Sequence, residues 1–196
     1  MDDAKQSPRN EAARAGTTTA PPLVCLGASA GGLEALETFF SSIPADTGAA
    51  FITIVHLSPD FKSLMPELLA RRTNMPIASA TDGTIPEPNT ICVIPAGQNM
   101  VLSDGCLRLE AQDRTPGHPL HLPIDIFLRS LAEGAPHRSI AIILSGTGSD
   151  GSRGAKALKD AGGIVLVQDS TPRALRRNAE ERAGDRADAH APIPNR

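Results

Sequence analysis

The sequence predicts an α/β fold, a doubly wound and mostly parallel sheet with helices on both faces and a small antiparallel hairpin. Short apolar runs, many of them β-branched, alternate along the chain with segments whose apolar residues recur at helical spacing. Two turns built from small residues lead directly from a strand-like run into a helix-like one. The pair Asp104-Gly105, which stands between short apolar arms, predicts the hairpin.

The first third of the chain predicts two strands, each followed by a helix. An apolar run from Leu23 passes through a glycine-rich turn into a segment of helical periodicity that Pro44 ends. Phe51–Val55 is nearly continuous and β-branched, as is typical of a strand buried on both faces. Ser58-Pro59-Asp60 supplies an N-cap, a proline for the first turn and an acid, so a helix is expected over Phe61–Leu69.

The middle of the chain predicts two short strands, the hairpin and a third helix. Met75–Ala78 is a weak strand candidate and Ile91–Ile94 a firmer one. Asp104-Gly105 predicts the turn of a hairpin, which we expect as an antiparallel appendage on the main sheet. A helix with apolar residues at helical spacing is expected from Pro123 to about Leu131.

The last elements repeat the pattern of strand, turn and helix. Ile140–Leu144 is a buried strand that runs into the small-residue turn 145–151 and then a helix that Gly162-Gly163 ends. Ile164–Val167 is the final strand. We therefore expect one domain over residues 23–170, preceded by a disordered lead-in, residues 1–22, and followed by an Arg/Ala-rich tail, residues 171–196, that cannot fill a core.

Composition excludes several classes of function. The chain has 196 residues, neither Trp nor Tyr, and a net charge of -3, so it offers neither the aromatic platform nor the basic field that nucleic acid needs. No apolar run approaches the ~20 residues of a membrane span, and the N-terminus lacks a secretion signal. We expect a cytoplasmic protein without membrane insertion. Three cysteines, the first two in predicted strands, indicate no disulfide, metal or cofactor: Cys25, Cys92 and Cys106.

The turn after the first strand carries a motif with three interpretations. Gly27-Ala28-Ser29-Ala30-Gly31 has the G-x-S-x-G spacing that mounts a nucleophilic serine between a strand and a helix. Small neighbours there allow the backbone to turn sharply. The same glycines would also suit a phosphate bound at a helix N-terminus, or a turn that serves packing alone. The motif by itself leaves these three interpretations open.

Three chemically complementary side chains follow three predicted strands. Ser29 follows the first strand, His56 the second, and Asp150 the strand Ile140–Leu144. Because the carboxyl ends of parallel strands share one edge of a sheet, these residues can converge as nucleophile, base and orienting carboxylate. Taken singly, His56 could be a hydrogen-bonded strand-end histidine and Asp150 a helix N-cap. His118 and His121 have a metal-like spacing, but no cluster of further ligands accompanies them.

Four ordered motifs resemble a known family. From about Leu23 to Asp169 the chain resembles the catalytic domain of the chemotaxis protein-glutamate methylesterases, the CheB type. It looks most similar to the versions in hybrid proteins fused to a receptor methyltransferase. The motifs are Gly27-Ala28-Ser29-Ala30-Gly31-Gly32, Val55-His56-Leu57, Pro123-Ile124-Asp125 and Ser145-Gly146-Thr147-Gly148-Ser149-Asp150-Gly151.

The resemblance implies an activity, partners and site residues. It implies hydrolysis of γ-glutamyl methyl esters on the cytoplasmic helices of chemoreceptors, in some members with deamidation of glutamine, and a receptor methyltransferase as a second partner. It makes Ser29 the nucleophile, His56 its base and Asp150 the orienting carboxylate. An oxyanion and substrate-binding site is implied at Ala30, Thr147 and Gly148, with the backbone N–H at Thr147 as a donor.

Two departures from the family keep other functions open. Ala30 stands where many members have a hydroxyl residue. After Gln168-Asp169 the family continues with a segment containing Gly-Met-Pro that completes the sheet, whereas here the Arg/Ala-rich tail follows, as in a truncated gene. A non-catalytic regulatory module that binds a receptor or methyltransferase is therefore the alternative to an esterase. A phosphate-binding domain that uses the first glycine loop is the third possibility.

Overall fold

A computed structural model of the chain describes residues 20–28, 32–55, 64–112, 122–144 and 149–168. Most of the predicted lead-in and all of the predicted tail lie outside these ranges. The strands are β1 Leu23–Ala28, β2 Ala50–Val55, β3 Ile77–Ser79, β4 Ile91–Val93, β5 Gln98–Ser103, β6 Cys106–Ala111, β7 Ser139–Ile143 and β8 Ile164–Val167. The helices are α1 Gly32–Ser42, α2 Met65–Leu69, α3 Pro123–Gly134 and α4 Ser152–Asp160, and a 3₁₀ turn spans Pro136–Arg138.

Six of these strands form one sheet in which every pairing is parallel. Its order is β3-β4-β2-β1-β7-β8. β1 lies near the centre and is buried along its whole length, as is β2. The apolar, β-branched composition of these strands follows from this burial, because neither of their faces meets water.

Helices cover both faces of the sheet, and the sheet separates the core into two layers. On one face, Cys25 and Ile52 pack in a cluster with Phe127 and Leu128 of α3. On the other face, Leu26 packs in a cluster with side chains from α1 and α2, among them Phe40. Successive residues of β1 alternate between the two clusters, as the two-residue period of a strand requires. The predicted doubly wound fold is confirmed.

The hairpin forms where Asp104-Gly105 predicts it, but it does not extend the main sheet. Asp104 and Gly105 both have positive φ, 50° and 78°, as a two-residue turn of the type I′ class requires. β5 and β6 form a separate two-stranded sheet, and Leu107 of β6 makes an isolated antiparallel bridge to Thr84. The prediction that the hairpin is an appendage of the main sheet is therefore wrong. The hairpin packs its apolar side chains into the core cluster of α3, and the Leu102 N–H donates to Ser130 Oγ of α3 over 2.8 Å.

Several boundaries differ slightly from the sequence predictions. The described part of the second helix is α2, which begins at Met65, whereas Phe61 lies outside the described residues. β3 starts at Ile77 because Pro76, directly before it, has no N–H to donate to a neighbouring strand. α4 starts three residues earlier than its first predicted apolar position, Ala155.

The cysteines occupy the environments expected of small apolar side chains. Cys25 in β1 and Cys92 in β4 are buried, and Cys106 on the hairpin is partly exposed; all three are free thiols. Burial raises the pKa of the Cys25 thiol. Burial, and to a smaller extent the charge of Glu87, raises the pKa of Cys92. Within the described ranges, no helix has the length and apolar composition to cross a membrane.

Candidate active site

Two neighbouring strands end side by side at the carboxyl edge of the sheet. The register of β1 and β2 pairs Ala28 with Val55, the last residue of each strand. Ser29 and His56 are the next residues in the chain, and both lie outside the described residues. The two strand ends that precede the predicted reacting residues thus lie side by side at one edge of the sheet.

Asp150 reaches this edge from the other side of β1. There β7 pairs with β1, and the Leu144 N–H donates to Gly27 O over 2.9 Å just beyond the end of the strand. Asp150 lies between β7 and α4. Its Oδ1 accepts the Asp125 N–H over 2.9 Å, and its Oδ2 accepts the Ile124 N–H over 3.2 Å. Both carboxylate oxygens are therefore oriented by the first turn of α3.

Asp150 is a helix cap, but of a different helix from the one expected. The alternative prediction for Asp150 is a helix N-cap, and the next helix along the chain is α4, whose N-cap position is Gly151. Asp150 instead caps α3, whose own N-cap residue, Leu122, makes no side-chain cap bond. The positive end of the α3 dipole favours a negative charge at this position. A cap of this kind also suits a carboxylate that must keep one orientation.

Asp125 is the reciprocal helix cap, since its carboxylate binds the start of α4. Its carboxylate, in the first turn of α3, accepts the Gly154 N–H of α4 through Oδ1 over 2.7 Å. The residue is only 3% exposed. We call Asp125 and Asp150 the paired caps, because the Asp150 carboxylate accepts backbone N–H groups of α3 and the Asp125 carboxylate accepts one of α4. Asp125 belongs to one of the four family motifs, but the sequence predicts no role for its side chain; an acid in the first turn of a helix is the signal that could have indicated one.

The close packing of the Ile124 side chain, which we call the Ile124 slot, explains why Gly27 and Gly151 are glycines. A Cβ atom on Gly27 would lie 2.8 Å from Ile124 Cγ2, and one on Gly151 would lie 2.9 Å from the same atom. Ile124 therefore packs where β1 and the start of α4 both lack a side chain. Gly27 lies inside β1, where the close approach of Ile124 requires a glycine, and not in the sharp turn that the sequence pattern predicts for it. Gly151 also has a φ of +92°, which favours glycine.

A shallow pocket, open to solvent and with room for about one water molecule, lies at the carboxyl ends of β2 and β4. It is lined by Val55, which immediately precedes His56, and by Pro123, the first residue of α3. Its polar side is formed by Gln98 and Gln112, and the Gln112 Nε2 donates to Gln98 O over 3.1 Å. None of the lining residues in the described part of the chain carries a charge.

The remaining predicted site residues lie outside the described ranges: Ala30, Thr147 and Gly148 of the oxyanion site, and His118 and His121. Among the residues that the structure does describe, no group of three or more His, Cys, Asp or Glu side chains could hold a metal ion. The described part of the site thus consists of two strand ends, the paired caps and the uncharged pocket.

Comparison with known proteins identifies the family. Residues 24–181 match the family model described as CheB methylesterase. The chain belongs to this family. The resemblance based on four short motifs is therefore confirmed, and the matched range extends beyond residue 170 into the segment predicted as a tail. The position of the domain boundary stays a prediction.

Relatives and a solved structure agree with this assignment. A protein-glutamate methylesterase/protein-glutamine glutaminase of Cupriavidus metallidurans is 33% identical over 87% of this chain and 50% of its own length. One of Xanthomonas oryzae pv. oryzae is 37% identical over 77% of this chain and 42% of its own length. The chain thus spans about half the length of these curated relatives. The crystal structure of the Thermotoga maritima CheB methylesterase catalytic domain matches with a TM-score of 0.68 at 26% identity, over 78% of this chain and 82% of that one.

Proposed function

We propose that this member of the CheB methylesterase family hydrolyses γ-glutamyl methyl esters on the helices of chemoreceptors, and deamidates glutamine at the same positions. Ser29, His56 and Asp150 act as a triad. The observation that carries the proposal is the carboxyl edge of the sheet, where the paired ends of β1 and β2 precede Ser29 and His56, and α3 orients the Asp150 carboxylate. The names of the relatives combine the same two activities.

The reaction divides into two acyl-transfer steps. Ser29 Oγ attacks the ester carbonyl carbon as its proton passes to His56, and the oxyanion accepts the backbone N–H at Thr147 and donors near Ala30 and Gly148. The tetrahedral intermediate then breaks its bond to the methoxy oxygen, which takes the proton from His56 and leaves as methanol. Water repeats the sequence on the acyl-serine, so that a glutamate carboxylate and free Ser29 result. Asp150 stabilises the imidazolium form of His56 in both steps.

The uncharged pocket supports a neutral substrate group. A methyl ester and a primary amide are both neutral, whereas the glutamate product is an anion. The pocket has room for about one water molecule, so it borders the substrate side chain and does not enclose it. Its described lining residues carry no charge that would favour the carboxylate product over the neutral substrate.

The proposed activity also defines the partners and the compartment. The methylated helices of a chemoreceptor are the substrate surface, and a receptor methyltransferase, which adds the groups that this chain removes, is a second partner. Because these helices belong to the cytoplasmic part of the receptor, the cytoplasm is the proposed location. Chemotaxis signalling of the two-component type is the corresponding process.

Methanol release tests the proposal directly. The full chain is incubated with a receptor signalling fragment that carries methyl-labelled glutamates, and volatile label is counted against the variant Ser29→Ala. We expect release by the native chain and none by the variant, which should melt at the same temperature. If the native chain binds the fragment but releases no more methanol than Ser29→Ala, the esterase is contradicted and a non-catalytic module is favoured. Retention of a nucleotide through purification would favour a phosphate-binding loop instead.

A further inference from the structure

We propose that Asp125 is a positioning residue for the reaction, which holds Asp150 in place by fixing the start of α4 against the start of α3. This inference rests on the proposed function of Asp150. The Asp125 carboxylate binds the backbone of α4, where its Oδ1 accepts the Gly154 N–H. Its effect on catalysis therefore passes through the position of its partner cap.

The starting observation is that α4 has no cap of its own. Gly151 occupies its N-cap position and has no side chain to accept an N–H. The free N–H of Gly154 is satisfied by Asp125 Oδ1 over 2.7 Å. Because Asp150 directly precedes Gly151, whatever fixes the first turn of α4 also fixes the backbone that carries Asp150.

The hydrogen bonds of the paired caps form a closed cycle. The Asp125 carboxylate binds the α4 backbone at Gly154, four residues after Asp150. The Asp150 carboxylate returns to the backbone N–H of Asp125. Each bond constrains the other, since a shift of α4 away from α3 would lengthen both of them. The Asp150 carboxylate is thus held by its hydrogen bonds to α3, and the Asp150 backbone is held because Asp125 binds the start of α4.

Close packing prevents another group from replacing the Asp125 carboxylate. A Cβ atom on Gly154 would lie 2.8 Å from the Asp125 carbonyl oxygen and 2.7 Å from Leu128 Cβ. The two helices therefore touch through their backbones at this point. An N–H left without its acceptor here could be satisfied only if α4 moves, and a displacement of about 1 Å in a catalytic group can lower a rate ~10²-fold.

The test compares two substitutions of Asp125 with a control on the same helix. Asp125→Ala removes the acceptor, whereas Asp125→Asn keeps an oxygen that can accept the Gly154 N–H. Ser130→Ala is the matched control, because Ser130 is also buried in α3. Its Oγ accepts the Leu102 N–H of the hairpin and donates to Phe127 O within α3. All three are made in the full chain and assayed below their melting temperatures.

We expect Asp125→Ala to lower kcat by about 10- to 100-fold with KM within about twofold, as for a displaced catalytic group. Asp125→Asn should retain most of the native kcat, and Ser130→Ala should leave kcat near the native value. In the Asp150→Asn background, Asp125→Ala should cause little further loss. An equal fold-loss in both backgrounds, or a loss in kcat that Ser130→Ala shares, would overturn the inference.

A second readout separates this inference from the proposed function. If the native chain releases no methanol, the esterase proposal fails by itself, and the melting temperatures of the same variants still report on the paired caps. If the caps are coupled, Asp125→Ala and Asp150→Asn together lower the melting temperature by clearly less than the sum of their separate effects. Additive shifts would show that Asp125 and Asp150 do not hold each other, and would overturn the inference without reference to activity.

Discussion

The carboxylate of Asp150 combines two tasks that a substitution can separate. It accepts two backbone N–H groups of α3, and in the proposed mechanism it orients His56. Asp150→Asn keeps the shape of the side chain, but its amide nitrogen cannot accept a hydrogen bond and favours the wrong imidazole tautomer. We expect kcat to fall by ~10³ to 10⁴, with a modest decrease in melting temperature. A melting temperature that falls while kcat stays native would mean that Asp150 is only a cap of α3.

The three cysteines should differ in their reactivity toward alkylating agents. Burial raises the pKa of the thiols of Cys25 and Cys92, so less reactive thiolate is present at any given pH. Cys106 is partly exposed on the hairpin. With iodoacetamide at pH 8 we expect one modified cysteine per folded chain, Cys106, and three after denaturation. Mass spectrometry of the native protein checks this, and rapid modification of Cys25 would show that β1 opens readily.

At the scale of the helices, two glycines predict opposite responses to the same substitution. Gly154→Ala would place a Cβ atom against backbone and side-chain atoms of α3, and overpacking of this kind destabilises by about 1–3 kcal/mol. At Gly134, the last residue of α3, the nearest atoms are 3.7 Å away, an ordinary contact, so alanine should be neutral or slightly stabilising. Thermal melts of the two variants test this, and a Gly154→Ala variant as stable as the native chain would contradict the close contact of α3 and α4.

The elements themselves were largely predictable, whereas their contacts were not. Strand and helix periods are local, and they identified the positions of β1, β2 and α3 from a few adjacent residues. The paired caps join residues 25 to 29 positions apart, and the Ile124 slot depends on two glycines from different elements. The hairpin turn was likewise readable from Asp104-Gly105, but its docking on α3 depends on the shape of a helix face that no local pattern encodes.

At the scale of the whole molecule, one face of the sheet is thinly covered near β7 and β8 within the residues that the structure describes. Ile140 and Ile142 of β7 are only partly buried, and their register partners on β8, Ile164 and Leu166, are 56% and 53% exposed. All four point to the face that α1 and α2 cover elsewhere, because Ile140 and Ile142 pack at the margin of that cluster. In the described part of the chain, β8 also forms the edge of the sheet. An exposed apolar edge strand favours association.

Leu166→Lys tests whether this face governs self-association. We expect the native chain to associate increasingly with concentration and the variant to associate less, because a charge on an edge strand opposes pairing. The melting temperature should change little, since Leu166 is half exposed. Light scattering and thermal melts measure both. A monomeric native chain whose melting temperature drops by several degrees in the variant would instead indicate that Leu166 is covered by another part of the chain.

The central place of β1 in the sheet has a consequence for how the protein is made on the ribosome. Leu23 is synthesised long before Ser139, the residue with which it pairs on one side in the sheet. At 5–20 residues per second, translation takes on the order of ten seconds to reach that partner. During this interval the strand that precedes Ser29 has only one of its two neighbours. The nascent chain therefore cannot complete its native sheet progressively from the N-terminus. Its yield in the cell should depend on chaperones that protect the edge of β1 that later pairs with β7.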